Sequence, residues 1–377
     1  MIAGLKRSLI SNYINYRGWS TKKRILVIES DDWGSIRTPS KEVFEKFVKA
    51  GLPVKDHYFV KNDCLESNDD LELLFGVLSS NRDCNGNPAV ITADAVVANP
   101  DFARIAESGR QSYFYEPITE TYKSYPNHNN VMALWKKHGI GENMLYPQYH
   151  GREHVNVRKW MHALNAGSPA EDLAFENKAL LNLRVPGDND HVPSYMAAFD
   201  YEDKVHQKEI EDITRDGLDL FERVFGFRSL SFVASSSVMG DHMNPVLYGS
   251  GVRFNQCGRY FLPKNDGNSK LIHKFWGDQA DGITFWRRNV MFEPSRNPNE
   301  DWVSSCMASI ETAFRWGKPA VLNSHRVNYS GGISVDNRDN TLRLLDDILK
   351  AVTKRWPNVE FMNSAQLGAH ILETRPK

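Results

Sequence analysis

Several features that would point to particular classes of protein are scarce in this sequence. It has four cysteines among 377 residues (Cys64, Cys84, Cys257 and Cys306), and no two of them form a CxxC pair. Neither a thiolate zinc site nor a disulfide scaffold is therefore indicated. Lys and Arg number 46 against 47 Asp and Glu, which leaves a formal charge of −1. With no global field to favour a polyanion, we expect no nucleic-acid partner.

Long apolar segments are also missing. The first ten residues contain basic side chains but no apolar core long enough for a signal peptide, and no later stretch approaches a membrane span. We therefore expect a cytoplasmic protein without an integral membrane segment. No internal repeat, low-complexity tract or Gly/Ser linker divides the chain, so we expect one catalytic domain over residues 1–377, with its core at about residues 24–362.

Strand-like and helical patterns alternate along the chain. The strand-like runs are residues 24–29, 89–93, 144–149, 229–234, 251–255, 283–287, 319–324 and 359–362. The helical patterns are residues 40–50, 67–79, 130–138, 157–164, 168–181, 205–225, 301–316 and 337–356. This alternation predicts an α/β fold. Residues 118–130, 186–203 and 265–270 are rich in Pro, Asn, Asp and Gly, which indicates loop insertions.

Asp31 and Asp32 follow the first strand-like run, and a His150-Gly-Arg-Glu-His154 element comes much later. The carboxyl end of a buried strand is where α/β sheets place their chemistry. Histidines at i and i+4 lie on one face if their segment is helical, so both rings can reach one cation. Asp32, His150 and His154 would then form a metal site, most suited to Zn²⁺ and less selectively to other divalent ions. The alternative is a capping Asp32 with locally satisfied histidines.

The two neighbouring carboxylates need not have the same role. They repel each other, and a divalent ion on Asp32 relieves that cost while Asp31 stays ionised as a base. A third group must protonate the leaving group, and His325, at the end of the run 319–324, fits that task. The alternative for His325 is a strand-end histidine bonded to a loop carbonyl.

These elements, in this order, resemble the polysaccharide deacetylase family, the carbohydrate esterases with a NodB-type homology domain and a distorted (β/α)-barrel. The resemblance implies that Asp31 is the base, that Asp32, His150 and His154 are the metal ligands, and that His325 is the general acid. It also implies enlarged loops and a metal-dependent N-deacetylase whose partner is a carbohydrate, an N-acetylated sugar. Gly151 stands where the family usually has a hydroxyl residue.

One expected family feature is absent. The family's Arg-x-Pro stretch supplies an arginine that steadies the catalytic Asp, but the corresponding segment here is Ser231-Phe-Val-Ala-Ser-Ser-Ser-Val238. Arg184-Val-Pro-Gly187 imitates the motif, yet it follows a helix-like run and precedes an irregular insertion. The group that orients Asp31 is therefore not identified from the sequence.

Two other functions remain open at this point. A glycosidic-bond hydrolase would need two separated carboxylates, and Asp31 with Asp94 or Glu153 could supply them. A noncatalytic carbohydrate-binding protein on a decayed barrel is the third hypothesis, motivated by the missing arginine. The sequence leaves the sugar open, and also whether it is part of a polysaccharide, lipid-linked or nucleotide-linked.

Three further residues are weaker candidates for substrate contact. Trp33 could stack on a sugar ring or pack in the core. Asp94 could contact the substrate or cap a helix. Arg326 could hold a substrate anion or pair with a surface carboxylate.

Overall fold

The strand-like runs assemble into one ten-stranded sheet in the computed structural model, which describes residues 2–183, 195–263 and 270–375. All eight predicted runs contain a strand, and short strands add to them. The strands are β1 (Arg24–Trp33), β2 (Ile91–Val96), β3 (Ala98–Pro100), β4 (Tyr115–Pro117), β5 (Leu145–Gly151), β6 (Ser231–Phe232), β7 (Phe254–Asn255), β8 (Arg259–Phe261), β9 (Leu271–His273), β10 (Gln279–Ala280), β11 (Ile283–Phe285), β12 (Val290–Met291), β13 (Ala320–His325) and β14 (Val359–Phe361).

The large sheet is parallel except at one edge. Its order is β10-β11-β7-β6-β5-β2-β1-β13-β12, and only β10 and β11 pair antiparallel. β14 pairs with the first half of β1, on the side where β2 pairs with the second half. The sheet curls into a half-barrel whose edge strands, β10 and β12, do not pair with each other. The predicted α/β fold of the distorted (β/α)-barrel type is confirmed.

Helices cover the sheet, and the longest ones match the predicted patterns. They are α1 (Ile2–Tyr16), α2 (Lys41–Lys49), α3 (Tyr58–Asn62), α4 (Asn68–Ser80), α5 (Phe102–Glu107), α6 (Ile118–Thr121), α7 (Val131–Leu134), α8 (Val157–Asn165), α9 (Pro169–Glu176), α10 (Lys204–Phe225), α11 (Met243–Gly249), α12 (Trp302–Arg315), α13 (Val335–Arg355) and α14 (Ser364–Thr374). In α13, the residues at positions 342, 345, 348, 349 and 352 are buried, as expected of one apolar helix face. No helix in the described ranges is both long and apolar enough to cross a bilayer.

The structure changes two local interpretations. Residues 118–130 do not form a wholly irregular insertion, because they include α6 and a 3₁₀ turn at Tyr122–Ser124. The helix predicted at 130–138 becomes α7 followed by a π-helical turn at Trp135–Ile140. Arg184, the first half of the insertion predicted at 186–203 and most of the one predicted at 265–270 lie outside the described residues.

Candidate active site

The carboxyl end of β1 is irregular at the point where the two aspartates lie. Consecutive side chains of a regular strand point to opposite faces. Here the pairing with β2 shifts register between Ser30 and Trp33, and Asp32 has a φ of 77°, which non-glycine residues seldom adopt. This bulge lets Asp31 and Asp32 both face one cavity. Backbone strain of this kind is typical of functional sites.

The two histidines are brought together by a bend and not by a helix. His150 is in β5, and the chain turns directly after Gly151, so the helical geometry expected for this element is wrong. Gly151 has a φ of 140°, and a Cβ there would lie 3.0 Å from the carbonyl oxygen of Glu153. Glycine is therefore required at this bend. The bend places His154 Nε2 2.8 Å and His150 Nε2 3.4 Å from Asp32 Oδ1.

This cluster fits a divalent metal ion. One ligand atom from each of Asp32, His150 and His154 lies within 4.8 Å of the others, and all three residues are buried. His150 donates from Nδ1 to the carbonyl oxygen of Val233 at 2.9 Å. With Nδ1 carrying the hydrogen, Nε2 of His150 carries the lone pair. Nε2 is buried, faces the cluster and has no hydrogen-bond partner. An orphaned buried acceptor of this kind is expected where a cation binds.

The protonation states of the cluster also suit a metal ion. Burial lowers the pKa of His154, although Asp32 opposes that shift. Burial raises the pKa of Asp32, but the two histidines outweigh burial and hold that pKa well below its usual value. A neutral imidazole at His154 and an ionised carboxylate at Asp32 are the forms that ligate Zn²⁺.

Asp31 is held by an arginine that the sequence analysis did not identify. Arg288 donates from Nη1 to Asp31 Oδ2 and from Nη2 to Asp31 Oδ1, each at 2.8 Å, in a bidentate pair. Burial raises the pKa of Asp31, but Arg288, together with His150 and His325, lowers that pKa to about 2. An arginine thus contacts Asp31, as the resemblance implies, although it comes from another segment of the chain. The available signal was its position directly after the predicted strand 283–287.

The rest of the Arg288 guanidinium is fully engaged. Nε donates to Glu29 Oε2 at 2.6 Å, and Nη2 also donates to Asp94 Oδ2 at 2.9 Å. Further bonds run to the side-chain oxygens of Asn323 and Gln256. Burial, followed by the charge of Asp31, raises the pKa of Asp94 well above its usual value. Arg288 is thus fixed on several sides, so its orientation toward Asp31 is rigid.

His325 lies opposite Asp31 on the neighbouring strand. The β1–β13 register pairs Asp31 with His325, and His325 Nε2 is 3.9 Å from Asp31 Oδ2. His325 donates from Nδ1 to Glu293 Oε2 at 2.6 Å, and the other oxygen of Glu293 accepts from Asn328 at 2.8 Å. Burial lowers the pKa of His325, but Glu293, together with Asp31 and Asp32, raises it to about 10. His325 is protonated at neutral pH, with Nε2 directed toward the cavity.

All five main candidates line a single cavity of about 980 Å³. Its walls include Asp31, Asp32, His150, His154 and His325, together with Arg288 and Glu293. His325 Nδ1 is bonded to the carboxylate of Glu293 and not to a loop carbonyl, as the alternative interpretation had it, and Nε2 remains available. Sequence reasoning did not identify Arg288 or Glu293.

The three weaker candidates do not line this cavity. Trp33 is 1% exposed, donates to Ser30 Oγ and stacks on Tyr329, so it belongs to the core and its predicted sugar contact is wrong. Arg326 is fully buried and paired with Asp63 and Glu66, so it cannot hold a substrate anion.

The carboxylates proposed for a glycosidase are also withdrawn from the cavity. Asp94 is buried against Arg288, where it supports that arginine and neither contacts a substrate nor caps a helix. Glu153 is buried and held by both Nε and Nη2 of Arg152. Neither can act with Asp31 on a bound sugar, so the two-carboxylate hypothesis loses its residues. The presence of Arg288 likewise removes the motive for a decayed, noncatalytic site.

Comparisons with known proteins give structural similarity only. No protein-family model matches the sequence, and no curated protein matches it. Among solved structures, the chain is similar to a 4-alpha-glucanotransferase from Thermococcus litoralis, with a TM-score of 0.46, 10% identity and coverage of 94% of this chain. This chain spans 41% of that enzyme's length.

Two other similar structures are nearer in length. A protein from Mycobacterium smegmatis assigned as a polysaccharide deacetylase has a TM-score of 0.43 and 12% identity, with 96% of this chain and 97% of that chain covered. The allantoinase Puue has a TM-score of 0.46 and 12% identity, with 95% and 94% covered.

Proposed function

We propose that this protein is a metal-dependent hydrolase that removes the N-acetyl group from an N-acetylated sugar. The observation that carries the proposal is the meeting, in one cavity, of the Asp32/His150/His154 cluster with Asp31 and His325. A divalent ion, most suitably Zn²⁺, would be held by that cluster and would supply Lewis acidity and an activated water.

Asp31 and His325 then have complementary protonation states. Arg288 keeps Asp31 ionised at neutral pH, so it can take a proton from the attacking nucleophile. Glu293 keeps His325 protonated, so it can give a proton to the departing amine nitrogen. The pKa of His325 lies far above that of Asp31. At neutral pH, Asp31 is therefore ready to accept a proton and His325 is ready to donate one.

The cavity also suits a saccharide. A volume of about 980 Å³ accommodates one or a few sugar rings, and Phe59 and Phe261 give its walls flat apolar surface. We propose an N-acetyl group as the target for two reasons, the order of the motifs and the acid–base pair. When an amide is hydrolysed, the departing amine must be protonated, and the acid of the pair can do this.

Acetate release after zinc loading tests the proposal. The purified protein is assayed with a panel of N-acetylated monosaccharides and oligosaccharides, and reducing ends are measured in parallel. We expect acetate without new reducing ends, and a loss of activity in Asp31→Asn. The control is Asp347→Asn, which removes a carboxylate from an exposed i,i+4 pair with Arg343. New reducing ends without acetate, or full activity in Asp31→Asn, would overturn the proposal.

A further inference from the structure

One wall of the cavity carries arginines whose charge the described residues do not neutralise. Arg259 and Arg287 both line the cavity, and neither forms an ion pair with a described carboxylate. Arg288 of the same segment is, in contrast, saturated by Glu29, Asp31 and Asp94. The wall therefore keeps cationic groups that the acid–base chemistry does not use.

Arg287 is fixed in place but not neutralised. It is 4% exposed, donates from Nε to the carbonyl oxygen of Lys274 at 2.7 Å and lies with Nη2 2.9 Å from His273 Nδ1. Its guanidinium lies 4.6 Å from the ring centre of Phe275. Both hydrogen-bond partners are uncharged acceptors. The charge of Asp278 acts on Arg287, but its carboxylate accepts from the backbone N–H of Phe275 and forms no ion pair with Arg287. Arg287 is thus a buried cation without an ion-paired carboxylate among the described residues.

Arg259 is held close to Arg287 by the packing of Gly258. Arg259 pairs with His273 across the β8–β9 hairpin, and His273 in turn contacts Arg287. A Cβ on Gly258 would lie 2.9 Å from Arg287 Cγ and 2.7 Å from the carbonyl oxygen of Lys274. The absence of a side chain at position 258 therefore lets the backbone that carries Arg259 approach Arg287. The guanidinium of Arg17 stacks on Phe275 as well, 4.7 Å from the ring centre.

One wall of the cavity thus holds a buried cation, Arg287, and an exposed one, Arg259. A buried cation is costly unless an anion compensates it, and two like charges raise that cost. Planar guanidinium groups bind phosphoryl oxygens in parallel hydrogen bonds, and a phosphate monoester carries close to two negative charges. The arginine wall is thus a favourable position for an anion.

We propose that the substrate is an N-acetylated sugar that carries a phosphoryl group, and that Arg259 and Arg287 bind this group. The inference rests on the proposed deacetylase function for the role of the sugar. The phosphoryl group can come from a soluble sugar phosphate or from a lipid-linked one, since the monoester and the diester both present at least two non-bridging oxygens to the arginines.

Binding without turnover tests this subsite. Zinc-loaded Asp31→Asn protein is titrated calorimetrically with N-acetylglucosamine, N-acetylglucosamine 1-phosphate and a decyl-phosphate-linked N-acetylglucosamine. We expect the phosphoryl group to strengthen binding at least about tenfold, as a charge-assisted contact should. A further gain with the decyl compound would assign the phosphoryl group to a lipid carrier. Equal affinity of the two phosphorylated probes would assign it to a soluble sugar.

Substitutions of the two arginines test whether they cause the gain in affinity from the phosphoryl group. Arg259→Gln and Arg287→Gln, each in the same background, should remove most of the phosphoryl gain while leaving binding of the neutral sugar unchanged. Arg259 is exposed, so its variant folds even if Arg287→Gln does not. The control is Arg104→Gln, an arginine stacked on Phe114 away from the cavity. No gain from the phosphoryl group, or an equal gain from the carboxylate of N-acetylmuramic acid, would overturn the proposal.

The two proposals fail separately. If phosphorylated probes bind more tightly but the wild-type protein releases no acetate, the phosphoryl subsite stands and the deacetylase function falls. If acetate is released at equal kcat/KM from neutral and phosphorylated sugars, the deacetylase function stands and the subsite falls.

Discussion

Arg288 both orients and ionises Asp31, because its two terminal nitrogens donate to the two oxygens of that carboxylate. We predict that Arg288→Lys lowers kcat about 10- to 100-fold, the usual effect of disturbing a group that supports an active-site residue. A lysine keeps the charge but cannot form the bidentate pair. The acidic limb of the pH–rate profile should also move to higher pH, since the pKa of Asp31 rises when the pair weakens.

The control for this prediction is Arg343→Lys, which alters an exposed pair with Asp347. It should leave kcat and the pH profile unchanged. A variant Arg288→Lys that folds, as judged by circular dichroism, and keeps both the wild-type kcat and the wild-type acidic limb would contradict the role assigned to Arg288.

Glu293 sets the protonation of His325. Removing its charge in Glu293→Gln should lower the pKa of His325 by about one unit or more, as expected for losing an opposite charge at hydrogen-bond distance. The alkaline limb of kcat/KM against pH should then move to lower pH. In the wild-type protein that limb should lie at or below about 10, because a bound cation lowers the pKa of His325 further. An unmoved limb would show that another group is the acid.

The same pKa shift affects stability in a defined pH window. The folded-state pKa of His325 lies above its ordinary value, so the protonated histidine stabilises the fold. In the metal-free protein this contribution is complete below about pH 6.5 and is lost as the pH rises through about 10. Glu293→Gln should therefore flatten the fall in Tm between these pH values, which scanning calorimetry measures directly.

At the scale of elements, the bend after β5 controls the metal cluster. We predict that Gly151→Ala lowers zinc affinity and destabilises the fold by about 1–3 kcal/mol, because alanine is strained at a φ of 140° and its Cβ meets the carbonyl oxygen of Glu153. Zinc affinity is measured by competition with a chromogenic chelator, and stability by urea unfolding.

A second glycine separates backbone strain from damage to the site. Gly167 has a φ of 74° in the turn between α8 and α9, and a Cβ there would meet nothing within 4 Å. Gly167→Ala should cost stability alone and leave zinc affinity intact. If Gly151→Ala also binds zinc normally, then the bend does not position His150 and His154.

The same elements explain what the sequence could and could not predict. Asp31, Asp32 and His325 follow parallel strands that are neighbours in the sheet, so strand patterns place them at one edge. Arg288 and Glu293 follow β11 and β12, whose positions depend on the order of strands across the sheet. Sequence separation hides such contacts, since Arg288 and Asp31 are 257 residues apart.

Side-chain direction accounts for two of the three wrong substrate residues. Trp33 follows the bulge at Asp32, and its ring points into the core against Tyr329. Arg326 immediately follows His325, and neighbouring residues at a strand end point to opposite sides. It therefore reaches Asp63 and Glu66 below the cavity. The sequence predicts where these residues lie along the chain, but it does not predict the local backbone conformation that sets the direction of their side chains.

At the scale of the whole molecule, metal binding should be coupled to stability. Asp32, His150 and His154 come from β1 and from the end of β5, which lie on either side of β2 in the central sheet. A cation that binds all three ties these strands together only in the folded state. Zinc at about 100 times its Kd should therefore stabilise the fold by about 2.7 kcal/mol, through mass action.

Thermal unfolding with and without chelator measures this coupling. The chelated protein should have a lower Tm, zinc should restore it, and His150→Ala should lose the response because one ligand is missing. His162→Ala is the matched control, since His162 is an exposed histidine on α8 and is outside the cluster. If both variants lose the zinc-dependent rise in Tm, zinc binds elsewhere. If zinc does not change the Tm of the wild-type protein, the metal site is absent, and the central premise of the proposed hydrolase fails with it. Retained binding by His150→Ala at wild-type affinity would place the ion on other ligands.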